Sequence, residues 1–586
     1  MDGVSLAVIS SRFGAVVHSM MNTIFRSGRS GVLNSAHDFS CCVVSAADEL
    51  VIGAESLPVH MMSGPDLISK AIKQTHPELR RGDAYLHNSP YNGNSHAADH
   101  CMFVPVVDSR GVHRFSVLAK AHQADCGNST PTTYMADAKD VYAEGALLFD
   151  AFRVQSNYED NADLIRACRL RIRVPEQWWG DYLALLGAVR VGERRMLELG
   201  DELGWDVLDT FVEEWFAYSE SMMRRAIAKL PFGRATVTTR HDPIVGAPEG
   251  VPIKATVDVR AEDEFVQVDL RDNPDCLPNG LNLTEATARS AAMIGVFNSV
   301  EAGVPPNAGS FRRLEVLLRE NCVAGIPVHP ASCSTATSGI ADRVANAVGL
   351  AFAELADGVG LGECGLVIPA SAAVVSGGDP RNGGEPFVNQ FFLAQTGGAA
   401  TPATDGWLTH FHVGCAGMLR RDSIEVAEMR HPLRVREQRL LPDTEGAGRN
   451  RGAPSAYVEY GPIGTSIVAA YGCDGSANPA RGARGGLPGG PSRHLKRDRD
   501  GATTELPAIA LAELADGETI ISITCGGGGY GPPWERDPER VREDVFEGWV
   551  TRVRAEEVYR VALNDDLEID HDRTNRLRAM VGNGGP

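Results

Sequence analysis

The chain has 586 residues, of which 43% are hydrophobic and 23% charged, proportions that are typical of a globular protein with about two to four domains. Its formal net charge of −20 gives no electrostatic reason to bind nucleic acid. We see no secretory leader, no apolar stretch of spanning length and no zinc-type spacing among the 12 cysteines. We therefore expect a cytoplasmic protein with free thiols and no membrane span.

The first third of the sequence predicts helices and a hairpin separated by polar loops. Helical periodicity covers residues 1–30, a strand-like run lies at 41–44, and a proline opens a short helix at 65–73. A long Asn/Gly/Ser-rich loop at 81–96 precedes two predicted strands, 101–107 and 115–119, with a turn at 108–111. A second polar loop runs from 122 to about 140.

The rest of the chain changes character twice. Residues 176–230 predict two or three helices, 251–269 two strands, and 282–301 and 338–355 two further helices. Strands and Gly/Pro-rich loops are predicted from about 365 to 530, followed by a charged helical tail at 537–579. We divide the chain into an N-terminal domain at 1–170, a helical segment at 171–232, a mixed Gly-rich domain at 233–530 and a helical tail at 531–586.

Two His-x-x-Asp units carry the clearest chemical signal. They are His96-Ala-Ala-Asp99 and His122-Gln-Ala-Asp125, and they stand at the two ends of the predicted hairpin. Imidazole and carboxylate ligands suit Zn²⁺, Mn²⁺ or Fe²⁺ and can leave a coordination position open for chemistry. A single such unit is more often ordinary loop chemistry, and pairing across a hairpin makes a metal site and ordinary loop chemistry equally good explanations.

Other residues near these units compete for the same role. Asp38 is a further candidate oxygen ligand, although spacing alone does not select it. The nearby histidines are His87, His100 and His113, and in a strand His100 points to the face opposite Asp99.

Several glycine-rich or basic segments are assigned structural roles. Gly360-Leu-Gly362-Glu-Cys-Gly365 matches a dinucleotide pattern in letters but follows a predicted helix, so we expect no nucleotide site there. For the run from Gly526 to Gly531, tight packing is favoured over anion binding. Composition favours a linker or exposed loop at 477–500 and a solvated basic loop at 493–497.

An ordered set of motifs resembles one known family. The set comprises Asp38-Phe-Ser-Cys41, Leu57-Pro-Val-His60, Arg81-Gly-Asp83, Asn88-Ser-Pro-Tyr91, both His-x-x-Asp units, Pro305-Pro-Asn-Ala-Gly309, and Gly526 to Gly531 followed by Glu535-Arg-Asp-Pro538. Together these segments resemble the hydantoinase B/5-oxoprolinase family, over about residues 4–565. That family includes subunits of ATP-dependent hydantoinases, 5-oxoprolinase, caprolactamase, and acetone and acetophenone carboxylases.

The resemblance implies a mixed α/β, multidomain fold and an enzyme whose catalytic functions are shared between two subunits. An actin-like ATPase partner of the hydantoinase A type would bind ATP and phosphorylate a carbonyl or enol oxygen, and this chain would carry one divalent metal ion, Zn or Mn. The implied ligands are Asp38, His96, Asp99 and His122. Asp125 then takes a supporting role, and Glu144 matches an acidic family position suited to a general base or a supporting group. The segment 477–500 would belong inside a domain.

Two departures from the family pattern leave the substrate open. An acidic residue, Glu445, stands where small residues are usual, and the segment Ala146 to Asp150 lacks the usual Pro-Pro. We expect ATP-dependent hydrolysis of a cyclic amide, with ATP-dependent ketone carboxylation as the alternative. A third possibility is a non-enzymatic assembly subunit within a hetero-oligomer.

Overall fold

The structure is a computed structural model that describes residues 1–260 and 262–582. Ala261 and the last four residues of the predicted tail lie outside the described residues. The helices are α1 Gly3–Ser27, α2 Gly31–Asn34, α3 Pro58–Met61, α4 Pro65–Thr75, α5 Val141–Glu144, α6 Ala162–Arg171, α7 Pro175–Leu203, α8 Trp205–Ile227, α9 Glu285–Phe297, α10 Ala308–Phe311, α11 Ile340–Leu355, α12 Ile424–Arg430, α13 Pro538–Phe546, α14 Arg552–Glu557 and α15 His571–Gly582.

The strands form four sheets. They are β1 Phe39–Ser45, β2 Leu50–Gly53, β3 Ala84–His87, β4 Asp99–Val107, β5 His113–His122, β6 Phe152–Ser156, β7 Glu159–Asp160, β8 Gly233–His241, β9 Val251–Arg260, β10 Phe265–Asp269, β11 Leu314–Leu317, β12 Val374–Asp379, β13 Glu385–Gln390, β14 Leu433–Leu440, β15 Ala456–Pro462, β16 Ile467–Gly472, β17 Arg493–Arg497, β18 Thr503–Leu506, β19 Ile509–Leu514 and β20 Thr519–Ile523. The mixed, multidomain fold class predicted from the sequence is confirmed.

The N-terminal sheet positions the candidate site. Its seven strands run in the order β2-β1-β5-β4-β3-β6-β7, and the predicted hairpin is its central pair, β4 and β5. Helices α1, α7 and α8 share one apolar core with this sheet. Among the described residues, α1 alone has the length and composition of a membrane-spanning helix, yet residues such as Phe13 and Met20 on one side of it are fully buried in that core. This one-sided burial is typical of an amphipathic core helix.

A second sheet, in the order β11-β10-β9-β8, shares the largest apolar core with α9 and α11. Both helices and the strands β9 and β10 are as predicted, whereas β8 was missed. Exposed and buried residues alternate from Thr236 to His241, but the buried face includes the polar residues Thr239 and His241, so no apolar period marks the strand.

The two C-terminal sheets correct two loop predictions. Residues 477–500 are not a linker, because backbone amides of Ser476 and Asn478 donate to Asp242 at 2.6 and 2.7 Å. The basic segment Arg493–Arg497 is not a solvated loop either, since it forms β17 between β18 and β20, with His494 buried. The family resemblance, which placed this segment inside a domain, is correct.

The run from Gly526 to Gly531 packs backbone against backbone, as predicted. A Cβ atom on Gly527 would lie 1.9 Å from the carbonyl oxygen of Gly398, and one on Gly528 would lie 2.0 Å from that of Arg481. The run hydrogen-bonds to several loops, including Gly528 N to the carbonyl of Glu363 at 2.9 Å. Only glycine permits this density of main-chain contact.

The predicted helical tail is three short helices, α13 to α15, with loops between them. The unusual Glu445 anchors it, because its carboxylate accepts hydrogen bonds from Arg554 at 2.6 Å and from Tyr559 at 2.9 Å. The acidic departure from the family pattern therefore has a packing partner in the tail. The domain boundaries proposed from the sequence stay predictions.

Candidate metal centre

The candidate ligands meet because three neighbouring strands end at one edge of the N-terminal sheet. Asp99 opens β4, His122 closes β5, and the two residues are direct cross-strand partners. Asp38 immediately precedes β1, which pairs with β5, and the His122 amide donates to the Asp38 carbonyl at 3.1 Å. Strand order thus brings Asp38 beside the hairpin, which spacing alone could not show.

His96 reaches the same edge from the loop before β4. The side-chain amide of Asn94 donates to the carbonyls of His96 and Asp99 at 2.7 and 2.8 Å, which holds this loop in a tight turn. Consequently both residues of the first His-x-x-Asp unit face the end of β5.

Three side chains form a compact cluster with metal-site dimensions. His96 Nε2 and His122 Nδ1 lie 3.0 and 3.1 Å from Asp99 Oδ1, and 3.2 Å from each other. Ligands around a tetrahedral ion with bonds of about 2.0–2.1 Å are separated by about 3.3–3.4 Å. The three distances between these atoms are therefore only slightly shorter than the distances between ligands around such an ion.

The outer nitrogens of both imidazoles are already engaged. His96 Nδ1 donates to the carbonyl oxygen of Ser334 at 2.8 Å, which leaves the Nε2 lone pair free to face the cluster. His122 Nε2 contacts the hydroxyl of Thr133 at 3.0 Å. Such outer partners fix the tautomer and ring orientation of metal-binding histidines.

The charge balance of the site calls for a cation. Asp38 and Asp99 are 5% and 0% exposed, and in the described chain the only ion-pair partners of either are histidines. Burial and the negative charge of Asp99 raise the pKa of Asp38 well above its usual range. Two buried carboxylates that have no lysine or arginine of the described chain within ion-pair distance are costly, and a divalent ion would neutralise both. The donor set and the electrostatics both fit a metal ion.

The pKa values within the cluster diverge. Burial alone would raise the pKa of Asp99, but the charges of His96 and His60, with hydrogen bonds from His122 and His60, hold it well below its usual range. Burial lowers the pKa of His122 to about 4. Deprotonated carboxylate and neutral imidazole, the forms that bind metals, are therefore favoured at Asp99 and His122. At His96, by contrast, burial is outweighed by the charge of Asp99 and by hydrogen bonds to Asp99 and Ser334, which raise the pKa.

His60 was missed as a site residue by the sequence analysis. Its Nε2 atom lies 3.0 Å from Asp99 Oδ2 and 3.9 Å from Asp38 Oδ1, and so links the two carboxylates. The segment Leu57-Pro-Val-His60 was recognised only as part of the family resemblance. His60 lies on α3, and the packing of that helix against the N-terminal sheet brings it to the cluster. The spacing of residues along the sequence does not reveal this contact.

Asp125 and Glu144 lie outside the cluster. Asp125 accepts from the backbone amide and guanidinium of Arg173 at 2.6 and 3.0 Å, which ties the loop after β5 to the segment before α7. Glu144 accepts from Ser332 Oγ at 2.6 Å, two residues before the carbonyl that holds His96. Both placements are compatible with supporting roles, which stay predictions.

The other histidines that the sequence offered as possible ligands contact residues outside the cluster. His87 contacts backbone groups of Asn92 and Ala151, and His113 contacts Ser116. His100 packs edge-on against Phe149 and Trp178, on the side of β4 away from the cluster.

A small cavity adjoins the cluster. It measures about 20 Å³, which is room for a single water molecule or ion. On one side it is lined by Asp38, His60, His122 and Tyr134, whose ring stacks on His122 at 5.1 Å. Its other wall comes from distant parts of the chain and includes Ser338, Phe411, His412 and Cys415. A ring-shaped substrate therefore requires this wall to move, since small-molecule sites are many times larger.

Most of the sequence matches one protein family. The family model for hydantoinase B/oxoprolinase matches residues 2–533, and the chain belongs to that family. The chain is 28% identical to the beta chain of the caprolactamase of Pseudomonas jessenii, over 99% of each chain. It is also 28% identical to the B-type chain of a putative D-/L-hydantoinase from Pseudomonas sp. (strain NS671), over 99% of this chain and 98% of that one.

Solved structures agree with this assignment. The ATP-dependent caprolactamase from Pseudomonas jessenii superposes with a TM-score of 0.89 at 27% identity, covering 99% of this chain and 100% of that chain. A nucleotide-free acetone carboxylase shares the fold, with a TM-score of 0.88 at 16% identity over 100% of this chain and 84% of that one. The relatives thus include ATP-dependent enzymes of two reaction types, and several are described as subunits.

Proposed function

We propose that this chain is the metal-binding catalytic subunit of an ATP-dependent cyclic amidase. The observation that carries the proposal is the convergence of His96, Asp99 and His122, with Asp38 beside them, at the edge of one sheet. The end-to-end similarity to a caprolactamase subunit favours a cyclic amide as the substrate class.

In this proposal Asp38, His96, Asp99 and His122 hold one divalent ion, Zn or Mn. The bound ion supplies a Lewis acid that polarises a substrate oxygen and makes nearby water more acidic. His60 lies between the carboxylates of Asp38 and Asp99 and fixes their relative positions, and Tyr134 shields His122 from bulk water. Glu144 and Asp125 keep the segments around His96 and His122 in place.

The ATP-dependent step belongs to a partner subunit in this proposal. That partner is an actin-like ATPase of the hydantoinase A type, which phosphorylates the carbonyl oxygen of the substrate. Phosphorylation makes the ring carbon electrophilic, and the residues that would hold the ion, Asp38, His96, Asp99 and His122, would face this activated group. A hetero-oligomer follows, because neither subunit completes the reaction alone.

The test is turnover by the chain purified together with its ATPase partner. A panel of lactams and hydantoins is expected to stimulate release of ADP and phosphate in step with ring opening. His96→Ala should lower ring opening by at least about a hundredfold, because losing even an outer partner of a metal ligand costs about 10–100-fold. The proposal fails if no member of the panel stimulates ATP turnover.

Bicarbonate separates this function from the alternative. Hydrolysis needs none, whereas an ATP-dependent ketone carboxylase requires it together with a ketone such as acetone or acetophenone. Bicarbonate-dependent ATP turnover with a ketone would assign the chain to the carboxylase side of its family.

A further inference from the structure

A hydrogen-bonded chain of three side chains, two of which line the cavity, lies opposite the cluster of His96, Asp99 and His122. His412 Nδ1 is 2.8 Å from Asp342 Oδ1, and His412 Nε2 is 2.7 Å from the sulfur of Cys415. All three residues are at most 4% exposed, and His412 and Cys415 line the cavity together with Asp38 and His122. Neither the family resemblance nor the sequence patterns singled out these residues.

The hydrogen bonds define the direction of proton transfer. The carboxylate of Asp342 accepts from Nδ1, so Nε2 presents a lone pair and the thiol of Cys415 donates to it. Asp342 lies in the first turn of α11, where the helix dipole favours negative charge. Its second oxygen, Oδ2, is buried without a hydrogen-bond partner. Nucleophile, base and orienting carboxylate thus occur in the order that activates a thiol.

The local backbone is built to present this unit. Cys415 ends a single 3-10 turn, Val413–Cys415, that is flanked by Phe411 and Ala416 with φ values of 72° and 47°. Left-handed backbone is unfavourable for residues other than glycine and concentrates at functional sites. Among the 12 cysteines, all of which lie in the described part of the chain, only Cys415 has a histidine as hydrogen-bond partner of its sulfur.

We propose that Cys415 is a catalytic nucleophile, with His412 as its base and Asp342 as a positioning residue, for a substrate carbon that bears a phosphorylated oxygen. The sulfur–carbon bond forms, the carbon–oxygen bond breaks, and phosphate leaves with the electron pair while the thiol proton passes to His412. Water then adds to the carbon of the resulting thioimidate, and the ring nitrogen leaves as an ammonium group that carries both hydrogens of that water and the proton held by His412. A second water cleaves the resulting thioester and restores the thiol.

The step rests on the proposed function only for the source of the phosphorylated carbonyl. Burial, with the charges of Asp38 and Asp342, raises the pKa of Cys415 well above its usual range, so the resting thiol is neutral. Proton transfer to His412 accordingly accompanies carbon–sulfur bond formation instead of preceding it.

Acetyl phosphate tests the chemistry without ATP or partner, because it already carries a phosphorylated carbonyl group. The full-length chain is incubated with it, and acetyl groups are mapped by peptide mass spectrometry before and after neutral hydroxylamine, which cleaves thioesters and leaves amides. We expect a hydroxylamine-labile acetyl group on Cys415, formed at least about tenfold more slowly in His412→Ala because its general base is missing. Cys364→Ala is the control, since Cys364 is equally buried at 3% exposure and its sulfur has no histidine partner.

The purified complex supplies the second readout. Cys415→Ser should lower ring opening by about a hundredfold while the partner still consumes ATP, so that the two become uncoupled, and Cys364→Ala should stay coupled. The nucleophile assignment is overturned if no acetyl thioester forms on Cys415, if other cysteines react equally, or if His412→Ala labels at the wild-type rate. An inactive complex with specific Cys415 labelling would reject the proposed amidase function and retain the nucleophile.

Discussion

At the residue scale, the proposed metal site depends on the position of a histidine along a single strand. His113 and His122 are the first and last residues of β5, and only His122 points a ring nitrogen at Asp99. A change at His122 therefore removes one of the three donor atoms of the cluster, whereas the same change at His113 leaves all three in place.

We expect His122→Gln to abolish stoichiometric binding of Zn²⁺ or Mn²⁺ and His113→Gln to retain it. The amide of Gln is a poor ligand for these ions, and the loss leaves two close donors in place of three. Elemental analysis of the purified proteins after equilibration with each metal gives the answer. Equal metal content in the two variants would place the ion elsewhere.

At the element scale, the periodicity of apolar residues predicted the elements whose formation depends on local sequence. The hairpin of β4 and β5, the helices α7, α9 and α11, and the position of the first His-x-x-Asp unit followed from apolar spacing and turn residues. Asp38, His60 and the Asp342–His412–Cys415 chain depend on which elements become neighbours, and no local period records that. The family resemblance identified Asp38 as a ligand, because the motifs of a family reflect which residues are neighbours in its common fold.

Strand β17 shows how tertiary context overrides composition. Its basic sequence favours solvent, yet pairing with β18 and β20 buries His494, whose Nε2 atom has no hydrogen-bond partner. Burial lowers the pKa of His494 to about 3. An unfolded histidine titrates near 6.5, so the unfolded chain binds a proton first and stability is lost as the pH falls below that value.

This histidine therefore predicts a measurable acid sensitivity. Between pH 7 and pH 5 it should cost about 2 kcal/mol of stability, at about 1.4 kcal/mol for each pH unit below 6.5. His494→Phe is expected to remove that part of the decline, seen as a smaller shift of the urea midpoint between the two pH values. His18→Phe, at an exposed position on α1, should decline like wild type. Parallel declines in all three proteins would contradict the assignment.

At the scale of the whole molecule, the candidate site joins parts of the chain that belong to different cores. The cluster sits at the edge of the N-terminal sheet, while the carbonyl of Ser334 and the wall with Phe411, His412 and Cys415 come from segments hundreds of residues away. An ion held by the proposed ligands would fix the cavity face formed by the N-terminal sheet, against which the opposite wall packs. In that proposal the stability of the opposite wall depends on whether the ion is bound.

Removing the metal should therefore lower the stability of the assembled chain. Because the ion binds the folded state only, at a free concentration about 100-fold above Kd it stabilises the fold by about 2.7 kcal/mol. We expect a chelator to lower the thermal midpoint of the wild type and to speed amide exchange in the segment 411–419, of which Phe411, His412, Cys415 and Leu419 line the cavity opposite the cluster. The His122→Gln variant does not bind the ion in this proposal. Its thermal midpoint and its amide exchange should therefore be the same with and without chelator. A wild type whose melting and exchange in that segment ignore the chelator would show that the cluster and the facing wall are not coupled through a metal.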